Sequence, residues 1–100
     1  MKYSLAIQPE AEEDLRQAFL WYEEQREGLG EEFLHSIEAG MKRIGDHPLM
    51  FSKIHKDVRR HLIRRFPYGI FYTVEMERIA ILAVFHVARD PQQWMRRRVD

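Results

Sequence analysis

A chain of 100 residues, 45% hydrophobic and 32% charged, has the composition of one small folded domain over residues 1–100, which excludes a disordered segment and leaves no room for a separate cofactor unit. It has no cysteine, so disulfides and thiolate metal sites are excluded. The formal net charge is zero, yet residues 1–50 hold 5 Lys+Arg against 11 Asp+Glu and residues 51–100 hold 11 against 5, a net −6 half followed by a net +6 half.

Residues 3–8 are rich in strand formers and predict a short first strand. Pro9 suits the first turn of a helix, and the acids Glu10, Glu12, Glu13 and Asp14 are favoured there by the helix macrodipole. Ala11, Leu15, Ala18, Phe19 and Tyr22 recur at helical spacing, so a helix is expected over residues 9–26, stopped at Gly28. A second apolar stripe, Phe33, Ile37, Gly40, Met41 and Ile44, predicts a helix over 30–45. The short link makes the two helices antiparallel neighbours. Gly40 within that stripe implies either a close approach by another element or fraying.

Asp46-His47-Pro48 ends the helical pattern, and residues 49–57 are expected to form a loop with Met50, Phe51 and Ile54 tucked inward. Strands are then expected over 58–65, 69–76 and 79–87, with Pro67-Tyr68-Gly69 and Glu77-Arg78 as turns. The second of these alternates as a half-buried strand does, and the third is apolar enough for a central strand covered on both faces. The fold class is therefore α+β, in the order β-α-α-β-β-β, with a helical hairpin on one face of a small, mainly antiparallel sheet. No apolar run reaches membrane-spanning length, and the opening residues are too short an apolar stretch for a signal peptide, so a cytoplasmic protein without a membrane partner is expected.

The densest chemical feature is Lys53, Lys56, Arg59, Arg60, Arg64 and Arg65, continued by Arg89 and Arg96-Arg97-Arg98. Guanidinium forks match phosphate and carboxylate geometry, so the cluster reads as a docking ridge or as a charged edge strand guarded against aggregation. The charge division itself fits a basic working face or two halves that neutralise each other across the fold. None of the five histidines has a metal-site spacing, so neither metal nor cofactor is expected. His61 lies within the arginine cluster and His86 ends the apolar strand. Either a proton-transfer role in RNA cleavage or a structural hydrogen bond suits such a histidine. The acids of residues 10–14 read as helix N-terminal electrostatics, and Trp21, off the apolar stripe, as a packing residue on the flank of the hairpin ahead of a contact for a partner.

The run Trp21-Tyr22-Glu23, Gly28-Leu29-Gly30, Phe33, Pro48, Val58-Arg59-Arg60, Phe66-Pro67-Tyr68, Ile70, Tyr72, His86, Arg89-Asp90-Pro91 and Trp94 resembles the ParE/RelE superfamily of bacterial type II toxin–antitoxin toxins, over nearly the whole chain. The resemblance implies the same αα-hairpin on a small sheet, a cognate antitoxin as partner, and operator DNA bound only through that antitoxin. It implies one of two targets. ParE-like toxins poison DNA gyrase, whereas RelE-like toxins enter the ribosome and cut mRNA without a metal. In the second case Arg64 or Arg65 would be the basic group, with His86 and Arg89 near the end of the chain. Lys53 and Lys56 precede the sheet and no tyrosine follows Tyr72, which departs from the RelE pattern. Phe66-Pro67-Tyr68 and Arg89-Asp90-Pro91 favour the ParE branch. Gyrase inhibition is thus the expected function, with Arg59, Arg60, Arg64, Arg65 and Arg89 as target-binding residues. Ribosome-dependent mRNA cleavage and a non-toxic antitoxin-binding homologue are the alternatives.

Overall fold

The computed structural model describes residues 3–97. Its elements are β1 (Ser4–Ile7), α1 (Pro9–Gln25), α2 (Leu29–Asp46), β2 (Lys53–His55), β3 (Val58–Leu62), β4 (Tyr68–Glu75), β5 (Arg78–His86) and α3 (Gln92–Met95). The five strands form one sheet in the order β1-β5-β4-β3-β2, antiparallel except for β1, which runs parallel to β5. Pro9 stops β1 by opening α1, so β1 pairs only with residues 78–81 of β5.

Helices α1 and α2 lie on one face of the sheet. Tyr22 stacks on Phe33, and Phe66 meets both rings edge-on, at centroid distances of 5.2, 4.9 and 5.4 Å, which fixes the hairpin to the chain between β3 and β4. The tight link between the helices has its own chemistry. Gly28 adopts a positive φ of 88°, and the Glu23 carboxylate of α1 accepts the backbone N–H groups of Gly28 and Gly30, taking up donors that a helix start leaves unpaired. Gly40 marks a close approach, as its place in the stripe allows: a Cβ there would sit 3.0 Å from side-chain atoms of both Ile63 and Ile70.

Several sequence expectations need correction. Lys53–His55 is a short edge strand rather than loop, because β3 offers it an open edge, and Met50 stays exposed rather than tucked in. Strand β3 stops at Leu62. Ile63 turns into the helix-side core, and Arg64 and Arg65 belong to the turn, where Arg65 takes φ +74°. Tyr68 and Gly69 are the first residues of β4, not a turn, and the second tight turn is Met76-Glu77, with Arg78 opening β5. Strand β4 is buried on both faces between Gly69 and Thr73. The reason is α3, which the sequence pattern did not predict: it covers the sheet face opposite the hairpin, stacking Trp94 on Phe71 at 4.7 Å. A bulge in β5 at Leu82, between Ile81 opposite Tyr72 and Ala83 opposite Phe71, adds Leu82 to this second core, which holds Val58, Phe71, Leu82, Ala83, Phe85 and Trp94.

The helix crossing yields a prediction. A Cβ on Gly30 would lie 2.7 Å from the Phe19 ring and 2.8 Å from the Phe19 carbonyl oxygen. Gly30→Ala is therefore expected to destabilise the fold by about 1–3 kcal/mol, the usual cost of overpacking, although alanine is the better helix former. Urea unfolding of the two chains measures this, and an unchanged or raised midpoint would contradict the crossing geometry.

Candidate functional site

The arginines that are contiguous in sequence are separated in space. On β3, Arg59 and His61 face the helical hairpin, while Arg60 and Leu62 face away from it, following the period of the strand. Arg59 turns inward and donates through Nη1 to the carbonyls of Leu49 and Phe51, at 3.2 and 2.6 Å, pinning the segment after α2. The segment is also held by Tyr72, whose hydroxyl donates to the Pro48 carbonyl at 2.6 Å and whose burial pushes its pKa up to about 12. Arg65 pairs with Glu32 of α2 at 2.7 Å, and Arg64 is exposed on the same turn. Arg98 lies outside the described residues.

His61 is a structural group. Its Nε2 accepts the Arg43 Nε–H at 3.0 Å, and its ring lies 4.0 Å from that of Phe51. Burial, aided by the charges of Arg43 and Arg64, pushes its pKa down to about 4, so it is neutral at pH 7. His86 accepts the Ala88 N–H at Nδ1, 3.0 Å away, and sets its ring edge-on to Tyr68 at 5.3 Å.

The sequence reading of Asp14 also changes. Ala11, Asp14 and Ala18 share the buried stripe of α1, so this carboxylate belongs to the core rather than to the helix-start electrostatics. It receives both Nη1 and Nη2 of Arg97, at 2.7 and 3.0 Å, and the Val84 N–H at 3.0 Å. Arg97 donates also to the Leu82 carbonyl at 3.1 Å, and Arg89 stands 4.0 Å from the carboxylate. Both guanidiniums flank the Phe85 ring, Arg89 at 3.8 Å and Arg97 at 4.8 Å from its centroid, and Arg89 also donates to Gln93 at 2.6 Å. An acid at stripe spacing in an otherwise apolar series was the one sequence signal for this centre.

A cavity of about 260 Å³ opens where α3 leans over the sheet face opposite the hairpin. Phe71, Phe85 and Trp94 lie among its walls, with Arg60, His86 and Arg89 also lining it. The structure therefore brings Arg60, His86 and Arg89 to one place, and leaves Arg59, Arg64 and Arg65 outside it. No acid among the described residues lines the cavity. Among the described residues no group of three or more His, Asp or Glu is gathered as metal ligands, and no helix is long and apolar enough to cross a membrane.

A model of the ParE toxin of type II toxin–antitoxin systems, parDE, matches residues 5–91. The fold is similar to a solved structure described as the chromosomal ParDE TA system from P. aeruginosa, with a TM-score of 0.75 and 19% sequence identity, covering 85% of this chain and 96% of that one. Comparison with curated proteins gives no match.

Two outcomes are expected from the buried groups. Asp14→Asn leaves Arg97 without its counter-charge and is expected to cost about 3 kcal/mol in urea unfolding, with faster hydrogen exchange at the Val84 amide. A variant as stable as the parent would show that the pair does not hold the C-terminal segment. His61 binds fewer protons folded than unfolded between pH 6.5 and about 4, so its contribution to stability is full above that window and is lost as pH falls through it. Unfolding at pH 7.5 and pH 5 is expected to show a smaller loss for His61→Gln than for the parent. Equal losses would mean that the imidazole takes up its proton without penalty.

Proposed function

The chain belongs to the ParE toxin family of type II toxin–antitoxin systems, and on that premise we propose that it arrests growth by binding DNA gyrase and is neutralised by a cognate antitoxin in the cytoplasm. The observation that carries gyrase binding over RNA cleavage is the state of the three groups a nuclease would need. Arg89 is committed to Phe85 and Gln93, Arg64 stands on a turn outside the cavity, and His86 has one ring nitrogen engaged by the Ala88 amide. RNA cleavage would have to draw its charge stabiliser from Arg60, which shares the cavity with His86, whereas inhibition by binding requires no such pair.

The outward arginines Arg60, Arg64 and Arg65 are the proposed target contacts. Arg59 and Arg89 act indirectly, by holding the segment after α2 and the start of α3. The antitoxin segment is expected to be disordered alone and to order on apolar surface that α1 leaves open, where Leu20 is exposed and Trp21 is 55% exposed despite its edge contact with Tyr22. Acidic residues of that segment would meet the basic half of the chain. Co-purification with the product of an adjacent small gene tests the antitoxin.

Expression of the chain alone in bacteria tests the target. Filamentation with a DNA-damage response is the expected outcome, and it should persist in folded His86→Gln. Wild-type ribosome-dependent mRNA cleavage that falls by roughly 10²–10⁴ in that variant would establish the nuclease instead. Replacing Arg60, Arg64 and Arg65 together by Gln should leave the fold intact, since exposed pairs such as Arg65–Glu32 contribute little. It should greatly reduce growth arrest, and undiminished toxicity would make these arginines a solvated edge.

A further inference from the structure

We propose that the cavity between the open sheet face and α3 is an anchor pocket for an acidic peptide segment of a protein partner, which inserts one bulky apolar side chain and sets a neighbouring carboxylate against Arg60. This deepens the proposed contact role of Arg60 and rests on it. Size is the first reason. A cavity of roughly 150 Å³ holds benzene, and small-ligand sites run from about 300 Å³ upward. At about 260 Å³ this one suits a single large side chain. Its apolar surface also continues outward, because Leu62 and Val87 at the walls are exposed, so the occupant covers surface as well as filling a hole.

Charge is the second reason. Among the described residues the walls carry cations and no acid. Arg89 is stacked and hydrogen-bonded, which leaves Arg60 as the guanidinium able to turn to a ligand. Arg60 is held beside the cavity by the absence of a side chain at Gly69, where a Cβ would come within 3.2 Å of Arg60 Cγ and 3.3 Å of Cδ. One such fork matches one carboxylate. RNA fits less well, since it needs exposed ring faces to stack on and a row of cations for its backbone. The rings of Phe71, Phe85 and Trp94 are buried, and Arg64 and Arg65 lie outside the walls.

The test uses the purified full chain carrying Trp21→Phe, which leaves Trp94 as its one tryptophan, inside the cavity wall. The probes are the blocked peptide acetyl-Glu-Leu-Phe-Glu-Glu-amide, the same peptide with Gln for every Glu, and a ten-nucleotide single-stranded RNA. The acidic peptide is expected to change Trp94 emission saturably and to bind at least about tenfold more tightly than the Gln peptide, as a charge-assisted hydrogen bond requires. Arg60→Gln should abolish that preference without weakening the Gln peptide, and Arg60→Lys should retain part of it. No saturable change, equal binding of both peptides, or RNA that binds more tightly than the acidic peptide in an Arg60-dependent way would each overturn the proposal. Because the titration is made on purified protein, its result does not depend on whether gyrase is the cellular target.

Discussion

Strand β1 ends at Ile7, and beyond Ile81 the flank of β5 that β1 had covered has no strand to pair with. The sheet continues there through the bulge at Leu82, where Leu82 and Val84 are buried and the Leu82 carbonyl and the Val84 N–H need partners. Asp14 supplies the acceptor for Val84 and Arg97 the donor for Leu82, while their two side chains pair with each other. One ion pair therefore replaces a missing strand. It joins α1, the middle of β5 and the end of the described chain, which are remote in sequence. Burying a charge is costly without such partners, and removing either one would leave the other stranded.

Much of the opposite sheet face follows from that pair. Arg97 lies two residues beyond α3, so its fixation helps to keep Trp94 on Phe71 and Arg89 on Phe85. A four-residue helix has almost no stability of its own. Its position depends on the stacked rings and on the guanidiniums that flank Phe85. The cavity exists because this short helix leans over the sheet without filling the space above Gly69, where Arg60 lies.

The fold sorts the charged residues that the sequence divides into an acidic and a basic half. Acidic first-half residues and basic second-half residues meet in Asp14–Arg97 and Glu32–Arg65, so part of the asymmetry is neutralised across the fold. Other pairs, Glu13–Arg16 and Lys42–Asp46, stay within the helices. Arg60 and Arg64 remain on the surface of the basic half. They stand at different places, however, because β3 ends between them at Leu62. A run of cations in sequence thus became one inward clamp at Arg59, one cavity wall at Arg60 and two turn residues.

The sequence by itself determined the elements whose side chains follow a regular period. The stripes of α1 and α2, the strands around Ile70 and Ile81, and the family likeness all rest on local spacing, which a chain carries before it folds. Gly40 announced a close approach in the same way, since its cost within a helix asks for a reason. Tertiary structure alone decided what Asp14 does, which arginines face inward, and that Tyr68 and Gly69 pair as strand. It also decided that α3 makes a second core. Each of these depends on groups far apart in the chain, or on a contact too short to leave a period. Asp14 and Arg97 are 83 residues apart, and only the packing of α1 against β5 turns an acid near a helix start into the partner of a bulge.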